Sequence, residues 1–129
     1  LIKKKGSAKG EIFSTARIAG IQAAKKTSEL IPLCHNIKIN SILIDFKFSE
    51  KENSIIIESI VKTNETTGVE MEAMMAVSIA ALTIYDMCKS YEKGILIHKT
   101  KLSYKSGGKS GVYVNDKFWR ITRDHQKKC

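Results

Sequence analysis

Four ionisable residues bracket one long apolar run: Glu70 and Glu72 open, and Asp86 and Lys89 close, the segment GVEMEAMMAVSIAALTIYDMCK at positions 68–89. A buried charge is costly unless it is paired or at work, so packing alone gives no reason for two acids at one end and an acid with an ammonium at the other. Asp86 and Lys89 stand three apart, which on a helix puts them on one face as an ion pair or an acid–base couple. Following directly on a buried run, Lys89 is expected to be desolvated, to lose proton affinity and so to exchange a proton near neutral pH; an ordinary surface pair is the alternative. From Glu70 to Asp86 is 16 residues, about 24 Å of helix, so one chain cannot bring both ends into one pocket. Two such helices running antiparallel across a twofold axis can.

Two further groups of reactive residues lie outside this run. IPLCHNI sets Cys34 and His35 in an irregular stretch after Pro32, where side chains can turn into a cleft. Cys34 as a nucleophile with a neighbouring base ranks low, since adjacent residues rarely face each other in extended chain, and a structural histidine is the competing reading of His35. KSGGKSG, residues 105–111, gathers Lys105, Lys109, two serines and three glycines. That composition suits a backbone nest around a phosphate and, equally, a flexible hairpin turn. It is not a P-loop, which would need glycine where Ser103 stands and a helix after Ser110.

Secondary elements must position these groups. The spacing of Ile12, Phe13, Ala16, Ala19, Ile21 and Ala24 predicts a helix over 10–31, ended by Pro32. Gly20 inside it disfavours helix by about 1 kcal/mol against alanine, so a close approach to another element is expected there. SILIDFKFSE alternates Ile42, Ile44, Phe46 and Phe48 against outward positions and, with SIIIESIVKT beyond the turn Glu50–Asn53, predicts a hairpin. The long helix follows, with Thr67 as N-cap and Glu70 at the capping-box position, a purely structural role for that acid. Further strands are expected in ILIHKTKLSY and GVYVN. Helix, two strands, helix, two strands predicts an α+β layer, helices on one face of a mainly antiparallel sheet, a pattern compatible with a ferredoxin-like arrangement. The long helix is apolar almost all round, so a second chain is expected to cover what one sheet cannot.

With 129 residues and 43% hydrophobic content, the length suits one domain spanning 1–129. A net charge of +9 attracts polyanions, whether nucleic acid, an acidic membrane or a phosphorylated metabolite. Only three of 22 basic residues are arginines, and aromatic content is 7%, which weakens the nucleic-acid reading. Cys34, Cys88 and Cys129 are odd in number and lack a CxxC pair, so neither a zinc site nor a disulfide framework is suggested and a reducing compartment fits. The run over 73–85, broken by Ser78 and Thr83, reads as too short for a membrane span, and no signal peptide opens the chain. Beginning at Leu1, the sequence is compatible with a true N-terminus further upstream.

Three ordered blocks, KGEIFSTARIAGIQAAKKTSELIPLCH, TTGVEMEAMMAVSIAALTIYDMCK and KSGGKSG, together resemble the MoaC family of cyclic pyranopterin monophosphate synthases, enzymes of molybdenum cofactor biosynthesis. The resemblance implies a ferredoxin-like fold assembled as a homohexamer, a trimer of dimers with active sites at the dimer interfaces. It implies a lyase acting on cyclised GTP, 3′,8-cyclo-7,8-dihydro-GTP, the product of a radical-SAM cyclase, to give a pyranopterin with a cyclic phosphate and pyrophosphate. No cofactor and no metal is called for, because lysines, carboxylates and a histidine can supply the proton transfers and hold the leaving group. Motif by motif, Lys89 and Lys9 match the essential lysines and Asp86 the aspartate that tunes Lys89; which lysine protonates which atom is left open. His35, Glu70 and Glu72, with Cys34 and Met71 beside them, match the pocket for the guanine-derived ring, and Lys105, Lys109 and Arg17 that for the triphosphate. The implied location is the bacterial cytoplasm, or an organelle in a eukaryote, without nucleic-acid or membrane partners. The family's usual segment before Leu1 is missing, and the tail beyond Val112 matches nothing expected. A basic nucleic-acid-binding module and a purely structural oligomer are the rival readings.

Overall fold

The structure, a computed structural model, describes residues 6–107 and 111–114. In chain order its elements are α1 (Gly6–Lys25), α2 (Thr27–Leu30), β1 (Ser41–Ser49), β2 (Ser54–Lys62), α3 (Glu70–Cys88), β3 (Tyr104–Lys105) and β4 (Tyr113–Val114). The single helix expected over 10–31 is thus broken at Lys26. The cause is Thr27, whose buried hydroxyl donates to the carbonyls of Ala23 and Ala24 at 3.0 Å each, and such back-bonding bends a helix. The chain is thereby redirected through α2 into the loop 31–37 that forms one wall of the site.

The hairpin follows its alternation. β1 and β2 pair antiparallel from Ser41 opposite Lys62 to Ser49 opposite Ser54, leaving a four-residue turn that closes with Asn53 at φ 49, a conformation asparagine tolerates. Ile44, Phe46 and Ile57 face the helices. Phe13 of α1 stacks on Phe46 with ring centroids 4.8 Å apart, and Arg17 donates from Nε to the Ile44 carbonyl at 2.9 Å. Leu43, Ile56 and Ile60 remain exposed on the opposite face.

α3 lies against both α1 and β2. Its buried residues, Glu72, Ala76, Ala80, Ile84 and Cys88, recur every fourth position and so form one stripe. Ala16 of α1 meets that stripe at Ala80, and Gly20 meets it at Ala76. A Cβ on Gly20 would stand 2.8 Å from the Ala76 carbonyl oxygen and 2.6 Å from Ile44 Cδ1, which is the close approach expected from a glycine inside a helix. Small residues at these crossings let the two helix backbones come together.

The rest of α3 is less well covered: 28% of its most apolar stretch is buried within the chain. By length and composition α3 would suffice to cross a membrane, which corrects the sequence reading that the run is too short. Here it serves as the central packing helix.

The third strand also differs from expectation. Only Tyr104 and Lys105 of the segment 95–105 form a strand, paired antiparallel with Val114 and Tyr113, and Leu96 and Ile97 are exposed. Alternation reports a preference for one face, but a strand also needs a ladder partner for its N–H and C=O groups. Among the described residues, the two hairpins are separate two-stranded sheets, and no neighbour offers 95–103 such a ladder. Helices packed on antiparallel strands nevertheless give the expected α+β class.

Candidate active site

Loop 31–37 and the start of α3 enclose a cleft of about 260 Å³. One wall is Ile31 to His35 with Ile37; the other is Thr67, Gly68 and the first turn of α3, Glu70, Met71 and Glu72. The loop wall is taut. Leu33 has φ 63, a left-handed backbone unusual for a branched side chain, while the side chain itself stands wholly in solvent and the Cys34 amide donates back to the Ile31 carbonyl at 3.3 Å.

Five residues picked out by sequence therefore share one cavity: Cys34, His35, Glu70, Met71 and Glu72. Lys105 joins them across 35 residues of chain, donating from Nζ to Glu70 Oε2 at 3.1 Å in a half-buried ion pair. The capping role expected of Glu70 is not realised. The N-cap is Val69, with no side-chain hydrogen bond, and the helix begins at Glu70 itself. The capping-box pattern misleads because Lys105, remote in sequence, competes for the carboxylate that the pattern assigns to the helix start.

The two acids behave differently although one residue separates them. A hydrogen bond from its own backbone amide, aided by Lys105 and opposed by burial, holds the Glu70 carboxyl below the usual glutamate range. Burial, and then the neighbouring Glu70 charge, push Glu72 upward; its residue is only 3% exposed. An acid that stays ionised beside one inclined to keep its proton is an arrangement that can accept a hydrogen bond and supply a proton within one cavity. Burial and the two carboxylates also push the Cys34 thiol upward, so it is not activated as a thiolate nucleophile.

Asp86 and Lys89 occupy the far end of α3. Their ion pair spans 2.9 Å, with the lysine side chain 59% and the aspartate 72% exposed. The expectation of a desolvated Lys89 with reduced proton affinity is overturned for the single chain: its hydrogen bond to Asp86, then the aspartate's charge, raise it above the ordinary lysine value. One stripe of the run before it is buried, but Lys89 follows the last residue of that stripe, Cys88, and projects into water.

Arg17 is likewise placed away from the cleft. Besides its bond to β1, its guanidinium carbon lies 5.3 Å from the centre of the Phe46 ring, so it fastens α1 to the hairpin. Lys9 belongs to the first turns of α1, and Lys109 lies outside the described residues. Gly68 and the apolar lining Ile31, Pro32 and Ile37 are site residues that sequence reasoning passed over. A glycine just before a helix whose first turn carries two acids was the available signal for Gly68. Among the described residues, no group of three or more His, Cys, Asp or Glu side chains is arranged to hold a metal ion.

Comparison with known proteins places the sequence in a family. The sequence profile of the MoaC family matches residues 1–108. The cyclic pyranopterin monophosphate synthase of Bordetella pertussis is 52% identical over 116 residues, covering 90% of this chain and 72% of that protein. Its counterpart from Heliobacterium modesticaldum is 51% identical over 109 residues, covering 84% and 69% respectively. The cavity residues and the matched stretch coincide, and the chain belongs to the MoaC family, enzymes of molybdenum cofactor biosynthesis.

Proposed function

We propose that this protein is a cyclic pyranopterin monophosphate synthase, a lyase that converts 3′,8-cyclo-7,8-dihydro-GTP into cyclic pyranopterin monophosphate with release of pyrophosphate. The observation that carries the reading is the convergence of His35, Glu70, Met71 and Glu72 on one cleft with Lys105 tied to Glu70, in a chain about half identical to synthases of that name. In this reading Glu70, ionised, accepts hydrogen bonds from the N–H groups of the guanine-derived ring, and Glu72 offers or takes a proton. Lys105 binds the phosphates, and Lys109 shares that role by the family resemblance.

Asp86 and Lys89 complete the site from a second copy. They sit about 24 Å along the same helix, too far to reach the cleft of their own chain. An antiparallel α3 from a twofold partner would bring them there, cover the apolar surface that α3 leaves open, and desolvate Lys89. Removal from water would oppose the rise that Asp86 causes and bring the lysine nearer to proton exchange at neutral pH. Lys89 then acts as general acid or base, Asp86 sets its proton affinity, Lys9 is a second donor or electrostatic stabiliser, and three such dimers make a hexamer.

The deciding experiment supplies the cyclised GTP and follows pyranopterin and pyrophosphate, comparing the wild-type protein with Lys89→Ala. Turnover by the wild type alone supports the reading. A wild type as inert as the variant, with steeply salt-dependent binding to random oligonucleotides, would replace it with a nucleic-acid-binding role favoured by the +9 charge.

A further inference from the structure

We infer that Gly68 is a positioning residue of the cleft: its missing side chain is what allows the Glu70 carboxylate and the Lys105 ammonium to meet beside loop 31–37. A Cβ built at 68 overlaps Glu70 Oε1 and stands 2.9 Å from Lys105 Cε and 3.2 Å from Lys105 Nζ. Backbone freedom is not the reason for glycine here, since its φ lies outside the left-handed range taken by Gly107 and Gly111. Space is the reason.

What would have to yield distinguishes this glycine from Gly20. At Gly20 the obstacles include the Ala76 backbone oxygen, so a side chain there disturbs the fold. At Gly68 the obstacles are the ends of two flexible side chains, which can swing aside at little cost to stability. The atoms that swing aside are nonetheless the half-buried pair of the site. Glu70 Oε2 loses its 3.1 Å contact with Lys105, and Oε1, buried without a hydrogen-bond partner, is moved from the place where a donor on the substrate would meet it. Gly68 thus acts through Glu70 and Lys105. The consequence for catalysis rests on the proposed function; the geometry at position 68 does not.

The test compares Gly68→Ala with Gly94→Ala, because a Cβ at 94 meets nothing within 4 Å. Thermal unfolding is expected to be unchanged in Gly94→Ala and lowered by only a few degrees in Gly68→Ala, the effect of losing one half-buried ion pair. Carbon-13 NMR titration of the Glu70 carboxyl is expected to move up toward the ordinary glutamate value in Gly68→Ala only. KM for the cyclised GTP should rise about tenfold, with kcat within about threefold, and the same substitution in a Glu70→Gln background should add almost nothing. A Glu70 titration that Gly68→Ala leaves unmoved, or a full additional KM increase in the Glu70→Gln background, overturns the inference. Absence of turnover in the wild type removes the proposed function, while the Glu70 titration still decides the role of Gly68.

Discussion

At the N-terminal end of α3 a carboxylate and an ammonium meet 3.1 Å apart with their side chains 33% and 24% exposed; at its C-terminal end another such pair meets at 2.9 Å with 72% and 59% exposed. The chemistry is the same and the consequences differ. Glu70 sits in a cavity wall, where its own amide, Lys105 and the restricted access of water all act on its proton affinity. Asp86 and Lys89 stand in water, where such a pair contributes little to stability and raises the lysine's hold on its proton. One end of the helix is finished within the chain. The other carries its pair in water, and in the proposed function a partner subunit's surface replaces that medium.

Breaking the unfinished end should give the largest effect. Lys89→Ala is expected to lower kcat by about 10²- to 10⁴-fold, the range for a lost general acid or base, with thermal stability almost unchanged because an exposed ion pair contributes little. Retained turnover in a pyrophosphate-release assay would reduce this pair to surface decoration.

Gly20→Ala tests whether α1 holds the middle of α3 and so fixes where both ends point. Overpacking against the Ala76 carbonyl and Ile44 should cost about 2 kcal/mol, read as a lower urea midpoint at unchanged m. Lys105→Met sharpens the contrast from the cleft side. Because Glu70 is held below its unfolded value, its contribution is present above that value, about 4.3, and is lost as pH falls through the folded value. The variant should therefore be less stable than wild type by about 1 kcal/mol at pH 7, with the gap closing in acid.

Glu72→Gln should give the smallest change and the opposite sign. A carboxyl pushed upward by burial favours the fold below its unfolded value and loses that contribution as pH rises through the folded one. Removing the charge should leave the protein equal to or up to about 1 kcal/mol more stable than wild type at pH 7, and indistinguishable near pH 3. Denaturant melts at the two pH values check both carboxyl predictions together.

Local rules made part of this molecule legible. The alternation of Ile42, Ile44, Phe46 and Phe48 marked the inner face of the hairpin, and Gly20 marked the place where helices cross. Cys34, His35, Glu70 and Glu72 stood out as polar groups at the margins of apolar segments, but it was the family resemblance that grouped them as one pocket, and all four line the cleft. Contacts between distant segments were not legible in the same way. The Glu70 partner lies 35 positions downstream, so a capping box was the nearest local reading and the wrong one. Segment 95–103 alternates like a strand, but pairing is decided by whether a neighbour exposes its own ladder, which no periodicity reveals. The break at Lys26 came from a threonine hydroxyl reaching back into its helix, an event that propensity scales average away.

Leu33 has one further consequence. Its left-handed φ stores about 1 kcal/mol that the surrounding contacts must keep in check, and its side chain, wholly in water, returns nothing by burial. The cleft wall therefore carries one strained residue at its rim. Leu33→Gly would release the tension, roughly cancel that gain through the greater freedom glycine gives the unfolded chain, and leave a rim of similar stability that wanders more widely before a ligand arrives.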